Sequence, residues 1–341
     1  MRRKLLSSCF IFLLLCNLIG IKSDAPSAMA TTEEARAECV IELHSLRILL
    51  QKSGDTRLPM ASTTKIVTAI TVLEQEKNLD RLVSVPPEAA SVEGSSVYLK
   101  EGTQWTVRDL LYGLMLRSGN DCAVTLALSQ AENIAAFSSK MNETAQKAGA
   151  IHSRFRNPHG LPCENHYTTA LDLSYITAYA LKNPIFAEIV ATKYYAPHNW
   201  TNKNKLLTRY EGTIGVKTGY TKEAGRCLVT AATKNGLTLI CTVLHCYAMY
   251  ERTEKLLDDC FASYENHLLI GANEQVNVCV NGKTLATTTR EDVFYPLLKE
   301  ESERLKRVVT PLEGREKEGI IGKIEIFLLK RLLFSGNLYK L

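Results

Sequence analysis

Residues 58–73 read "LPMASTTKIVTAITVL" and place Ser62 and Lys65 three positions apart at the head of an apolar stretch. From Thr64 onward the spacing predicts a helix. Ile66, Ala69, Ile70 and Leu73 recur on one face, and Val67 and Val72 widen it into a buried element. Pro59 lies just ahead, and a polar residue such as Ser62 is common at a helix start. A capping serine and a surface lysine would account for the pair. By composition a Ser-x-x-Lys tetrapeptide turns up about once in a chain this long, so its neighbours have to arbitrate.

The 341 residues have room for one large domain or two ordinary ones, and 45% hydrophobic with 23% charged residues is a soluble globular composition. The first thirty residues differ. Arg2, Arg3 and Lys4 precede an apolar run from Leu5 to Ile21, and a polar stretch ends in Ala28-Met29-Ala30. A basic start, an apolar core and an A-x-A site describe a secretory signal peptide, so the mature chain is expected outside the cytoplasm. The rival is an uncleaved membrane anchor. Removing residues 1–30 takes Arg2, Arg3, Lys4 and Lys22 against Asp24, and the formal charge falls from +5 to +2. A near-neutral protein without clustered basic residues and interleaved aromatics has no nucleic-acid footprint. Of ten cysteines, eight lie beyond the leader, an even number that permits disulfides in an exported chain without specifying them. Buried free thiols fit a domain of this size at least as well. Cys241, His245 and Cys246 form the nearest metal-like cluster, on an expected strand with no second half, so no metal is expected.

Along the chain, "CVIELHSLRILLQKSG" (39–54) reads as two strands around a polar turn. Thr106-Val107-Arg108-Asp109 resembles a capping box and launches "LLYGLMLRSGND", a helix that should end near Arg117. Ser118-Gly119-Asn120 then makes a tight break before "DCAVTLALSQ" resumes helically, and 133–148 and 168–182 are further amphipathic helices. "GTIGVKTGY", "RCLVTAAT" and "LTLICTVL" read as strands, the last two joined by Asn235-Gly236, a strong hairpin signal. "ERTEKLLDDCFASYENHLL" (251–269) reads as helix, and beyond Ile270 only strand patterns follow. The expected organisation is a signal peptide over 1–30, a mixed α/β domain over 31–265 and a small β-rich domain over 266–341.

Serine is a poor nucleophile until something removes its proton, and lysine does this when desolvation or a second cation keeps it neutral. Three apart on a helix, Ser62 and Lys65 share a face, and the helix start leaves the Ser62 N–H available to an oxyanion. Lys217-Thr218-Gly219, in "VKTGY", supplies a second cation and a hydroxyl on a strand, with Gly219 allowing a substrate backbone to come close. Ser118 and Asn120 add a hydroxyl and an amide suited to passing a proton and holding a carbonyl. A second Ser-Gly-Asn, at 335–337, is expected to be a turn.

Ser-x-x-Lys, Ser-x-Asn and Lys-Thr-Gly in this order form the signature of penicillin-binding proteins and class A β-lactamases, whose middle element is Ser-Asp-Asn. With "ASTTKIVTA", "SGND", "NPHGLP", "GVKTGYT" and "AGRCLV", the chain resembles the low-molecular-mass D-alanyl-D-alanine carboxypeptidases, serine peptidases with a penicillin-recognising fold. The resemblance is close over 35–265 and looser through "PLEGREKEGIIGKIEIFLL". It implies Ser62 as nucleophile and Lys65 as general base, with Lys65 also the choice for activating the deacylating water. It puts Ser118 and Asn120 in proton relay and substrate positioning, and Lys217 and Thr218 at the substrate's terminal carboxylate. The N–H groups of Ser62 and Tyr220 would form the oxyanion hole. Arg252 stands where members carry an arginine near that carboxylate; its plainer reading is an exposed helix arginine. The implied partners are peptidoglycan stem peptides ending in D-Ala-D-Ala, with β-lactams as acylating inhibitors and no cofactor. Cys122 departs from the alanine often found after "SGND". Many relatives add a membrane-lying amphipathic helix, and "LLFSGNLYKL" is too short and strand-like for one, which leaves peripheral contact or an uncleaved signal. A class A β-lactamase would need a glutamate poised to activate water, and Glu164, the only plausible acid, lacks the expected spacing. An inactive peptidoglycan-binding or β-lactam-sensing module would not need Ser62, Lys65 and Lys217 intact.

Overall fold

The computed structural model describes residues 34–341 apart from 313, 316 and 317, so the segment read as a signal peptide lies outside the described residues. Five antiparallel strands organise the larger, mixed α/β part: β1 (Ala37–Glu42), β2 (Ile48–Lys52), β3 (Thr213–Thr221), β4 (Gly225–Lys234) and β5 (Leu237–Leu244). Their order is β2-β1-β5-β4-β3, which leaves β3 at an edge. β1 and β5 are buried at every position because helices cover both faces, and doubly covered strands need continuous apolar runs. Alternation sorts the side chains: Cys39 and Ile41 join the core of the larger helical layer, while Val40 faces Leu256 and Leu257 on the other side.

The larger layer contains α1 (Lys65–Gln75), α2 (Val107–Tyr112), α3 (Asn120–Gln130), α4 (Ile134–Lys147), α5 (Ala170–Leu181) and α6 (Pro184–Ala191). The opposite face is covered by α7 (Met249–Ser263). α1 is buried without interruption from Lys65 to Leu73, as its apolar pattern predicts. Ser62 is not its cap: Ala61–Thr64 forms a 3-10 turn that runs directly into α1. Thr106 does cap α2, accepting from the Asp109 N–H at 3.0 Å. That helix widens into a π turn over Gly113–Arg117 and stops at Ser118, whose φ of 65° is left-handed.

Four features depart from, or add to, the sequence reading. Tyr264–Ile270 is strand β6, not the end of α7, because it pairs with β9 (Val293–Leu298). The next strands are β7 (Val276–Val280), β8 (Lys283–Thr288), β10 (Leu305–Pro311), β11 (Ile320–Leu328) and β12 (Arg331–Lys340). They form a sheet in the order β7-β8-β12-β11-β10. Ser335-Gly336-Asn337 is not a turn but lies inside β12, opposite Glu325, Ile324 and Lys323. Neighbour pairing decided both assignments. α6 was not anticipated, although Asn183 accepts from the Ile185 and Phe186 N–H groups and Pro184 opens the helix, both ordinary start signals. The eight described cysteines are free thiols; Cys163 and Cys279 are exposed and the other six buried. The expected Asn235-Gly236 hairpin forms, and Asn281-Gly282 makes another, all four residues being left-handed.

The β-rich part has its own core of Leu269, Ile270, Val278, Leu297, Ile324, Ile326 and Leu338. Arg47, in the β1–β2 turn, joins the two cores. Its guanidinium donates to Pro296 O at 2.6 Å and to both Glu301 oxygens at 2.9 and 2.7 Å. It also lies over the rings of Tyr264 and Tyr295. A bidentate pair this sheltered is costly to break from one side, because the remaining carboxylate stays desolvated. Arg47→Ala is expected to destabilise the protein by about 3 kcal/mol, read as a lowered urea midpoint; an unchanged midpoint would show that the pin carries no load.

Candidate active site

The 3-10 turn, the α2–α3 break and the edge strand β3 converge on the head of α1. Lys65 is fully buried there, and its Nζ lies 3.0 Å from Ser62 Oγ, 2.7 Å from Asn120 Oδ1 and 2.7 Å from the His159 carbonyl oxygen. Three partners match the three positions around an ammonium. They equally match a neutral amine that donates to Asn120 and His159 and turns its lone pair on the Ser62 hydroxyl. Among the described residues no carboxylate pairs with it.

Each partner is held by its own scaffold. Asn120 donates from Nδ2 to Glu93 O at 2.6 Å and from its backbone to Ser95 O at 2.7 Å, which fixes the amide with its oxygen toward Lys65. Asp121, 1% exposed, accepts from Ser96 Oγ and from the N–H groups of Val97, Leu99 and Cys122, and so clamps the 95–99 loop to the head of α3. The His159 carbonyl is aimed by the Asn-Pro-His-Gly turn: Asn157 Oδ1 accepts from His159 N and Gly160 N, and Pro158 O accepts from Thr68 Oγ1. Gly160 is obligatory because its φ is +92° and a Cβ would lie 1.9 Å from Ala61 O. Gly219 permits a different approach: a Cβ would meet Met60 O and Ser62 N at 3.0 Å, so β3 runs flush against the Ser62 backbone.

Ser62, Ser95, Ser118, Lys203, Thr218, Gly219, Tyr220, Arg226, Met249 and Tyr250 line one cleft of about 350 Å³. Lys217 lies just beneath it, 1% exposed, donating to Thr218 O at 2.9 Å. Serine, buried amine, positioned amide and a cation-rich wall make a site for acyl transfer to a hydroxyl.

A family model described as D-alanyl-D-alanine carboxypeptidase matches residues 23–247. The chain belongs to this family. It is 32% identical over 291 residues to the D-alanyl-D-alanine carboxypeptidase DacF of Bacillus subtilis, covering 80% of this chain and 75% of the relative. Penicillin-binding protein 5 from Haemophilus influenzae superposes with a TM-score of 0.74 at 27% identity, over 90% of this chain and 96% of that one. The Streptomyces K15 DD-transpeptidase is 36% identical with a TM-score of 0.63, over 67% of this chain and 97% of that one.

As a member of the D-alanyl-D-alanine carboxypeptidase family, the chain brings together eight of the nine residues singled out from its sequence: Ser62, Lys65, Ser118, Asn120, Lys217, Thr218, Gly219 and Tyr220. Arg252 does not join them. Its Nε donates to Glu38 Oε2 at 2.8 Å and its NH2 to Oε1, and Glu38 is a 1%-exposed carboxylate on β1, so this arginine fastens α7 to the sheet. Lys203 and Arg226 line the cleft instead; Arg226 lies within the "AGRCLV" stretch, but neither was singled out as a site residue. Cys122 is packed, with its thiol pKa pushed well up by burial and then by Asp121.

Burial, then Lys217, with a lesser contribution from Lys203, hold Lys65 well below the ordinary lysine range, against opposing effects of Cys122 and Asp121. Lys217 is itself lowered to about 7, by burial and then by Lys203. An unfolded chain therefore binds more protons here than the native one between about pH 7 and the ordinary lysine value near 10.5, so these lysines make stability rise with pH across that window. Removing a neighbouring cation raises a lysine pKa. Lys217→Ala is thus expected to move the Lys65 titration to higher pH, followed by NMR of ¹³Cε-labelled lysine; an unmoved titration would mean the two amines do not interact.

Proposed function

We propose that the chain removes the terminal D-alanine from peptidoglycan stem peptides through an acyl-enzyme on Ser62, and that β-lactams acylate the same oxygen. The carrying observation is the buried Lys65 amine 3.0 Å from Ser62 Oγ, with its other contacts taken by Asn120 and His159. Lys65 takes the Ser62 proton as Oγ attacks the carbonyl between the two D-alanines. The oxyanion is met by the N–H groups of Ser62 and Tyr220, where Gly219 lets the strand close in. The proton passes by way of Ser118 to the departing amine, and D-alanine leaves. Water then attacks the ester while Lys65 accepts its proton, and Ser62 Oγ recovers one on release of the shortened peptide. β3 suits this substrate because an edge strand offers main-chain groups to an extended peptide.

Deacylation of the β-lactamase kind has no support here. Glu164 lines a separate cavity with Arg57 and Glu223, and the cleft wall holds no carboxylate among the described residues. Among the described residues no helix is long and apolar enough to cross a membrane; action outside the cytoplasm rests on the leader-like residues 1–30 and on peptidoglycan as substrate.

Mass spectrometry of the mature protein with benzylpenicillin, beside Ser62→Ala, tests the reading. A persistent adduct on Ser62 that the variant lacks, with D-alanine release from a D-Ala-D-Ala peptide, is the expected result. Rapid drug consumption without adduct would favour a β-lactamase, and neither adduct nor turnover would leave a binding module.

A further inference from the structure

Where the two cores meet, the β1–β2 turn, the β4–β5 hairpin, β6, β9 and β12 enclose a cavity of about 880 Å³. Junctions of this kind are where ligand pockets concentrate, and roughly 300–1,000 Å³ is their ordinary range. A second lobe of about 360 Å³ continues along β12 and shares Glu291, Val293 and Phe334 with the first, so the two make one groove. It is remote from Ser62. Leu228, the partner of Thr218 at the cleft, and Asn235 at the groove lie about seven residues apart along β4, roughly 23 Å.

The walls of this groove are unlike those of the cleft. No lysine or arginine lines the larger lobe, and Arg290, in the smaller one, is stacked 3.8 Å over the Tyr339 ring. Asn266 donates to Gly236 O at 2.9 Å, which leaves its Oδ1 unused, and Asp292 spends Oδ1 on the Ala272 N–H at 2.7 Å. The side chains of Asn235 and Glu291 have no hydrogen bond among the described residues. The apolar part of the wall is aromatic. Phe294 is 49% exposed, and Leu268, its cross-strand partner on the same face, is 44% exposed. Phe334 rests over Gly336, where a Cβ would come within 2.4 Å of the ring. The glycine of the second Ser-Gly-Asn thus makes room for an aromatic ring in the groove. Ring faces carry negative partial charge and attract the C–H groups on the apolar face of a sugar. Carboxylates and amides accept and donate to its hydroxyls. An anionic ligand would instead meet Glu42, Glu291 and Asp292 with no cation in that lobe to offset them.

We propose that this groove binds a neutral glycan, the N-acetylated sugar strand from which the substrate's stem peptides hang, and holds the polymer while the cleft works on those peptides. The choice of a neutral sugar comes from the groove; that the strand is peptidoglycan rests on the carboxypeptidase reading. Calorimetric titration of the mature protein with the N-acetylglucosamine tetramer, which carries no peptide, reads the groove alone. Wild type is expected to bind it. Phe294→Ala should weaken binding about tenfold through the lost ring face, and Glu291→Ala by about fivefold through the lost acceptor. Both residues are exposed, so both variants should keep the wild-type Tm and the wild-type rate of D-alanine release from a soluble D-Ala-D-Ala peptide, while release from insoluble peptidoglycan falls. No tetramer binding by wild type, unchanged binding in both variants, or capture of a lysine oligomer in place of the tetramer would overturn the assignment. If wild type binds the tetramer through Phe294 yet releases D-alanine from neither substrate, the peptidase reading fails and the groove assignment stands.

Discussion

A lysine buried without a counter-ion is the constraint around which this structure is arranged. Moving an ammonium out of water costs several kcal/mol or shifts its proton away, and Lys65 begins the most deeply buried helix of the catalytic part. The fold answers with neutral acceptors only: a side-chain amide, a backbone carbonyl and the serine itself. A carboxylate in any of those places would hold the amine charged. Lys217, buried close by, pushes in the same direction.

The surrounding elements follow from that arrangement. Asn120 can point its oxygen at Lys65 because its nitrogen is occupied by Glu93 and its backbone by Ser95, and the left-handed Ser118 lets a new helix start beside the cleft. The turn 157–160 presents a carbonyl without flanking secondary structure, which only an internally bonded turn can do stably. The sheet contributes its edge strand, and the helices on both faces hold that edge against Ala61–Thr64.

Much of this was legible in the sequence, because local patterns encode local geometry. The Ser62–Lys65 spacing, the helix break at Ser118 and the Lys-Thr-Gly strand are all readable within a dozen residues. What was not legible depends on which distant chain arrives beside a residue. Tyr264–Ile270 has a helix-compatible composition and becomes a strand only because β9 lies beside it. Arg252 and Arg226 are both arginines near strand or helix ends; a buried Glu38, 214 positions from Arg252, decides which one faces the cleft. The His159 carbonyl was invisible because a backbone oxygen has no letter.

The edge position of β3 also has a bearing on solubility. An unpaired strand edge is a template for pairing with another copy of the chain. At the far side of the sheet, β2 is short and carries Gln51 and Lys52 outward, a charged guard of the usual sort. β3 has no such exposed guard along its Val-Lys-Thr-Gly stretch, where Lys217 is buried. It is shielded by cover: Val190 of α6 lies within 2.8 Å of where a Cβ on Gly215 would be, and the Met60–Thr63 backbone presses on Gly219. The packing that shapes the site thus also covers parts of this edge.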